Sequence, residues 1–159
     1  MSQGTKSQID PLNRNNYTAI TAMLTVGDVE RAYAFYQKAF GFQARGLMPG
    51  PDGKAMHAEL KFRESTLMLG PENPAWKSAS AKTLGNTPAT LYLLVEDVDK
   101  AAAQATNAGA TVIQPPADMF WGDRTATLVD PDGNKWMVAT HKSEPTPEQM
   151  DAAMKKQMS

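Results

Sequence analysis

Short stretches of alternating apolar and polar residues, each bounded by glycine, proline or asparagine, recur along this chain. The clearest lies between Phe120 and His141, where TATLV and KWMVATH flank the residues DPDGN. Such a segment, with Gly133 available for a positive φ, is typical of a tight turn between two antiparallel strands. Because strand side chains alternate between two faces, the hairpin also predicts which of its residues share a face.

Two helices are predicted where apolar residues recur at helical spacing. The first follows Asp28, a suitable N-cap, and ends at Gly41; its apolar stripe is Val29, Ala32, Tyr33, Tyr36, Ala39 and Phe40. The second follows Asp97, covers VDKAAAQATNA and ends at Gly109. Each helix is preceded by one predicted strand and followed by three.

The two halves of this pattern are related by an internal repeat with a spacing of 69 residues. The repeat aligns Leu24 with Leu93, Val26 with Val95, Asp28 with Asp97, Ala32 with Ala101 and Met68 with Met137. Two copies of one βαβββ unit each bury a sheet with help from the other. The predicted fold is therefore α+β, with two βαβββ modules whose curved mixed sheets enclose a cavity and carry their helices on the outer side.

The order of elements predicts five segments: a flexible leader at 1–16, a first module at 17–75, a linker loop at 76–88, a second module at 89–141 and a C-terminal helical tail at 142–159. The tail begins with a capping-box pattern, in which Thr146 is followed by Pro147 and then by Gln149.

Composition and charge narrow the classes of function. A net charge of -1 and the lack of a basic block give no reason to expect a nucleic-acid partner. The chain contains no cysteine, which excludes disulfides and thiolate chemistry. The N-terminus lacks the apolar core of a signal peptide, and no run approaches the roughly 18 apolar residues of a membrane span. We therefore expect a cytoplasmic protein without a membrane partner.

The repeat suggests candidate polar groups for the cavity. His57 and Glu59 alternate with apolar residues in the strand AMHAELKF. At a spacing of 69, the residues Ala55, His57 and Glu59 map onto Arg124, Ala126 and Leu128. If both rows face the cavity, His57, Glu59 and Arg124 lie together there as candidate catalytic or anchoring groups. The alternative is that the side chains of both strands simply face solvent.

Three segments carry a resemblance to a known family: MLTVGDVERAYAFYQKAFGF, LYLLVEDVDKAAAQATNAGA and WGDRTATLVDPDGNKW. In this order they resemble the glyoxalase/bleomycin-resistance/extradiol-dioxygenase superfamily, also called vicinal oxygen chelate (VOC) proteins. The resemblance covers nearly all of 17–141. The MHAEL strand, the WGDR segment and the ending ATHKSEPTPEQM resemble its PhnB-like branch, whose members often lack an established reaction.

The resemblance also implies where a metal would bind, since metal-dependent members carry four His, Glu or Gln ligands on the first and last strands of each module. The matching positions here are Thr21, Thr90, Met68 and Met137. Neither threonine nor methionine suits the Zn, Ni, Mn or Fe(II) centres of those enzymes. We therefore expect no metal and no cofactor at the usual place. A displaced ion held by His57, Glu59 and His141 is the alternative.

Our first functional hypothesis is a metal-free protein that binds a small, partly apolar molecule, as the superfamily's resistance proteins do. The expected cavity residues are Thr21, Met68, Thr90, Met137, Phe120, Trp121, Arg124 and Trp136. In the alternative interpretation, the same side chains simply fill the space between the sheets.

A second hypothesis is a divergent lyase, isomerase or dioxygenase-like enzyme with a relocated or absent metal. Glu59 or His57 would act as the general base, and Arg124 would hold an oxyanion. A third is an interaction module that works as a homodimer, since the family often pairs modules between chains. Whether the modules here pair within one chain or between two stays open.

Overall fold

The computed structural model describes residues 9–159 and contains eight strands and four α-helices. The first module comprises β1 (Ala22–Val26), α1 (Val29–Phe40), β2 (Gln43–Pro49), β3 (Ala55–Phe62) and β4 (Ser65–Pro71). A connection containing α2 (Ala81–Leu84) leads to the second module, which comprises β5 (Thr90–Leu94), α3 (Val98–Ala108), β6 (Thr111–Asp118), β7 (Asp123–Val129) and β8 (Lys135–His141). Helix α4 (Pro147–Gln157) ends the chain. None of the helices in the described part of the chain is long and apolar enough to cross a membrane.

The helix ends follow the predicted capping residues. The Asp28 side chain accepts a hydrogen bond from the backbone N–H of Arg31 at 2.9 Å, and Asp97 accepts one from Lys100 at 3.1 Å. Gly41 ends α1 in the left-handed conformation with φ 73°. At α4 both hydrogen bonds of the predicted capping box form. These caps are confirmed because they depend only on residues close in sequence.

Each module contains one four-stranded mixed sheet, in the order β1-β4-β3-β2 and β5-β8-β7-β6. In each sheet the first strand pairs in parallel with the last, and the remaining pairs are antiparallel. The predicted α+β fold of two βαβββ modules is therefore confirmed.

The spacing of 69 does not hold along the third strand of each module. Met68 lies opposite Glu59, whereas its repeat Met137 lies opposite Thr127, and residues 59 and 127 differ by 68. The reason is the second hairpin, whose longer loop shifts the register by one residue. Since a shift of one residue exchanges the two faces of a strand, the predicted equivalence of Glu59 with Leu128 is wrong.

One hydrophobic core extends across both modules. Helix α1 packs against α3 and against its own sheet, and α3 packs likewise. The Tyr36 and Phe40 rings of α1 lie 5.4 Å and 5.1 Å from the Trp136 ring on β8, measured between ring centroids. Within one chain the two helices therefore pack between the sheets, and a cavity of ≈ 470 Å³ beside them is lined by residues of both sheets. Each sheet also has an outer face, which is the face opposite its helix. The outer face of the first sheet, called the first outer face, carries Thr21, Met23, His57, Glu59 and Met68. The second outer face, on the second sheet, carries Thr90, Tyr92, Thr125, Thr127 and Met137.

The DPDGN turn joins the modules through two buried carboxylates. Asp132 accepts hydrogen bonds from the Gly27 backbone N–H at 2.9 Å and from the Arg31 guanidinium at 2.7 Å. Asp130 accepts hydrogen bonds from the Tyr36 hydroxyl and, at 2.9 Å, from the indole N–H of Trp136. Burial and the nearby carboxylate raise the pKa of Tyr36, which keeps this hydroxyl protonated as a donor. The turn therefore anchors the second module to α1 of the first.

Candidate ligand-binding cleft

A cleft of ≈ 730 Å³ lies on the first outer face, beneath the chain that leads into β1. Its lining residues are Ile9, Pro11, Arg14, Tyr17, Thr18, Ala19, Thr21, Met48, His57, Glu59 and Met68. Part of the predicted leader thus forms a wall of the cleft; the rest of it, at 1–8, lies outside the described residues. The other wall is the sheet, where β2 contributes Met48, β3 contributes His57 and Glu59, and β4 contributes Met68.

Glu59 is the central polar group of the cleft and is only 2% exposed. Both of its carboxylate oxygens accept a hydrogen bond from the Tyr17 hydroxyl at 3.1 Å. The His57 Nε2 atom lies 3.1 Å from Oε1, and the Arg45 Nη1 atom lies 3.5 Å from Oε2. Both oxygens of this buried carboxylate therefore have partners, as a buried polar group requires.

Arg45 also fastens the N-terminal segment to the sheet. It lies at an irregularity of β2 between Ala44 and Gly46, and its Nη1 atom donates to the Asn16 carbonyl at 3.1 Å and to the Thr66 hydroxyl at 2.7 Å. Its guanidinium lies 5.8 Å from the centre of the Tyr17 ring. The pKa of Tyr17 is raised by burial and by the hydrogen bond to Glu59. Residues 16 and 17 are therefore held in a defined position over the first outer face.

The structure brings His57 and Glu59 together but places Arg124 elsewhere. The Arg124 guanidinium donates to Asp99 at 2.8 and 3.0 Å and to Asp118 at 3.2 Å, and these hydrogen bonds raise its pKa. The residue lies on the helix-bearing face of β7, because the shifted register exchanges the two faces. The prediction that Arg124 joins His57 and Glu59 is wrong, and the guanidinium that contacts Glu59 is that of Arg45.

The remaining predicted cavity residues fall into four places. Thr21 and Met68 line the cleft, whereas Thr90 and Met137 lie on the second outer face. Phe120 and Trp121 contact each other edge to face at 5.1 Å, just before β7. Trp136 is 3% exposed and does not line this cleft; it lines the cavity of ≈ 470 Å³ between the two sheets.

The residues at the family's metal positions do not fit a divalent metal. Thr21 uses its hydroxyl to donate to the Thr18 carbonyl at 3.1 Å, and the thioether of Met68 is a soft ligand. Thr90 and Met137 add the same two chemical groups on another face. Across residues 9–159, no group of three or more His, Cys, Asp or Glu side chains is arranged to hold a metal ion.

A second polar cluster, not predicted from the sequence, lies at the edge of the second outer face. The Asp123 carboxylate accepts hydrogen bonds from the Tyr92 hydroxyl at 2.5 Å and the Trp121 indole N–H at 3.3 Å. Its other oxygen lies 2.9 Å from His141 Nδ1. The Tyr92 and His141 hydrogen bonds lower the pKa of Asp123. The sequence places Asp123 and His141 at opposite ends of one hairpin, and only their pairing across the sheet reveals the contact.

We expect His141 to titrate above its ordinary value of 6.5, because the hydrogen bond to Asp123 raises its pKa. A raised folded-state pKa stabilises the fold fully below the unfolded value and loses that effect as pH rises through the folded value. NMR titration of the imidazole protons measures the pKa directly. In Asp123→Asn it should fall towards 6.5, whereas Glu144→Gln should change it less. A titration identical in wild type and Asp123→Asn would contradict the contact.

The family model described as Glyoxalase/Bleomycin resistance protein/Dioxygenase superfamily matches residues 17–138. The chain belongs to this superfamily. A Mycobacterium tuberculosis H37Rv relative, described as uncharacterized protein Rv0887c, is 39% identical over 155 residues, covering 96% of this chain and 91% of the relative.

The chain is also similar to two further proteins. Lactoylglutathione lyase from Oryza sativa is 29% identical over 121 residues, which cover 73% of this chain and 41% of that protein. The crystal structure of TioX from Micromonospora sp. ML1 superposes with a TM-score of 0.63 at 27% identity, covering 78% of this chain and 98% of TioX. The predicted superfamily is thereby confirmed.

Proposed function

We propose that this VOC protein binds a small, partly apolar molecule in the cleft of the first outer face and does so without a catalytic metal. The observation that supports the proposal best is the cleft itself, whose volume of ≈ 730 Å³ falls in the range of small-molecule sites. Met48 and Met68 give it adaptable apolar walls. His57 and Glu59 give it a small number of placed polar groups. A sequestering role like that of the superfamily's resistance proteins is the function this arrangement fits.

A second candidate function is a divergent VOC enzyme, and the contact between His57 and Glu59 favours it. Glu59 already has partners at both oxygens, whereas the His57 side chain is 24% exposed beside the cleft. In such an enzyme the imidazole of His57, which is accessible from the cleft, would act as the general base, and Glu59 would orient it. The predicted oxyanion group, Arg124, has no part in this arrangement because it lies on another face.

The binding function predicts ligand-dependent stabilisation that a blocked cleft loses. In a thermal-shift screen of partly apolar compounds, a ligand at 100 times its Kd should add about 2.7 kcal/mol to the free energy of unfolding. For a domain of this size that is a shift of roughly 5–10 °C in Tm. Met68→Trp, which fills the cleft from β4, should abolish the shift. Met154→Trp, on the half-exposed surface of α4, is the matched control. Hits that stabilise wild type and Met68→Trp equally would contradict binding in this cleft.

Metal content separates the two candidate functions. We expect elemental analysis of protein purified without an affinity tag to find no stoichiometric transition metal, and added Ni, Zn, Mn or Fe(II) to leave Tm unchanged. About one tightly held ion per chain would favour the enzyme, with His57 and Glu59 as the first ligands to test by substitution.

The proposal extends to assembly and location. Several large apolar side chains of the outer faces are exposed in the single chain, including Met23 at 63%, Tyr92 at 47% and Leu94 at 48%. A homodimer that covers these side chains would remove apolar surface from water.

We further propose a cytoplasmic protein of the PhnB-like branch, without nucleic-acid or membrane partners.

A further inference from the structure

We infer that the ligand of this cleft is an organic anion, with a carboxylate or sulfonate group on an apolar body, and that Arg14 binds the anionic group. This inference rests on the proposed binding function and specifies the chemical class of the ligand. It follows from the charges around the cleft, its apolar walls and the way in which Arg14 is held.

The cleft contains one cationic side chain whose charge is not balanced by a carboxylate of the described residues, that of Arg14. Among the lining residues that the structure describes, Glu59 is the only carboxylate, and Arg45, Tyr17 and His57 already contact it. The exposed Arg14 guanidinium forms no salt bridge with any acidic group of the described residues. The nearest carboxylate in sequence, Asp10, accepts the Leu12 backbone N–H at 3.0 Å and does not line the cleft. An anion entering the cleft therefore meets a guanidinium that forms no salt bridge within residues 9–159.

The remainder of the cleft suits an apolar body. Met48 and Met68 form its sheet side, and Pro11 and Ala19 lie on the side of the N-terminal segment. A ligand with one anionic end can place that end at Arg14 and its apolar part between these walls. A strongly hydrated dianion without an apolar part would leave the methionines in contact with water and gain less.

The segment that carries Arg14 is positioned before a ligand arrives. Arg14 begins a short 3-10 turn that Asn13 caps, with its side chain accepting from the Asn15 backbone N–H at 3.2 Å. Two residues later, Asn16 is held by Arg45 and Thr66, and Tyr17 is held by Glu59. Holding the segment in this way reduces the conformational entropy lost on binding.

Two fluorescent probes that differ by one charge test the inference. 1-Anilinonaphthalene-8-sulfonate carries a sulfonate, and N-phenyl-1-naphthylamine has the same aromatic body without it. Wild type should bind the sulfonate more tightly. Arg14→Gln should weaken sulfonate binding about tenfold while changing affinity for the neutral probe less than twofold, since one charged hydrogen bond is lost. Lys38→Gln removes the same charge from an exposed position on α1 and should change neither affinity.

The outcomes separate the inference from the function on which it rests. If Met68→Trp abolishes binding of both probes but Arg14→Gln leaves their affinity ratio unchanged, the cleft binds small molecules and the inference about Arg14 is overturned. If neither probe binds, or if both bind equally to Met68→Trp, the proposed function fails and the inference falls with it. A loss of sulfonate binding equal in Lys38→Gln and Arg14→Gln would show only a general charge effect and would also overturn the inference.

Discussion

Replacing Asp130 by alanine is expected to lower the free energy of unfolding by about 3–5 kcal/mol, because it leaves several buried donors without an acceptor. The residue is 4% exposed. Its carboxylate accepts hydrogen bonds from the Tyr36 hydroxyl, the Trp136 indole N–H at 2.9 Å and the backbone N–H groups of Asp132 and Asn134 at 2.9 and 3.0 Å. The lost hydrogen bonds involve both modules, so both should unfold more easily.

Urea unfolding followed by tryptophan fluorescence measures the effect of Asp130→Ala. Tyr36→Phe is the matched control, since it removes one donor and leaves the carboxylate with its other partners; we expect it to lower the free energy of unfolding by about 1 kcal/mol. Asp130→Asn should fall between the two, because the amide keeps one acceptor but presents its NH2 group to buried donors. Equal stability of wild type and Asp130→Ala would show that the DPDGN turn does not join the modules in this way.

The fold could be predicted because its main determinants are local or periodic. The Asp28 and Asp97 caps, the glycine ends of the helices and the turn at DPDGN each depend on a few neighbouring residues. The repeat of 69 then supplied the two-module arrangement. The hydrophobic pattern could not predict that α1 packs against α3, because both sides of each sheet carry apolar residues.

The candidate site was predictable only in part. Alternation along β3 placed His57 and Glu59 on one face, and the structure shows them in contact at 3.1 Å. Tyr17 and Arg45 were missed because each reaches Glu59 from a distant part of the chain, one from the residue directly after the predicted leader and one from an irregular position in β2. The error at Arg124 had another cause: one additional residue in a hairpin exchanged the faces of β7.

Replacing Glu59 by alanine is expected to lower the free energy of unfolding by about 3–5 kcal/mol, because the buried Arg45 guanidinium would lose its counter-ion. The side chains of Arg45 and Glu59 are only 7% and 2% exposed, so water has little access to solvate the Arg45 guanidinium once the carboxylate is removed. The N-terminal segment should loosen as well, since Tyr17 would lose the acceptor for its hydroxyl. Thermal and urea unfolding measure the stability, and amide hydrogen exchange of residues 14–21 measures the loosening.

A double-mutant cycle isolates the effect of the unpaired charge. Glu59→Leu combined with Arg45→Met replaces both charges by apolar groups of similar size and should recover most of the stability that Glu59→Leu alone loses. Tyr17→Phe, which removes only a hydroxyl, should lower the free energy of unfolding by about 1 kcal/mol. If the double variant were no more stable than Glu59→Leu, the carboxylate would act mainly through Tyr17 and His57 instead of Arg45. Because the segment that Glu59 holds in place also carries Arg14, the double variant should regain stability yet bind the anionic probe more weakly than wild type. That separation would show that the buried charges position the cleft wall, beyond any contribution they make to the fold.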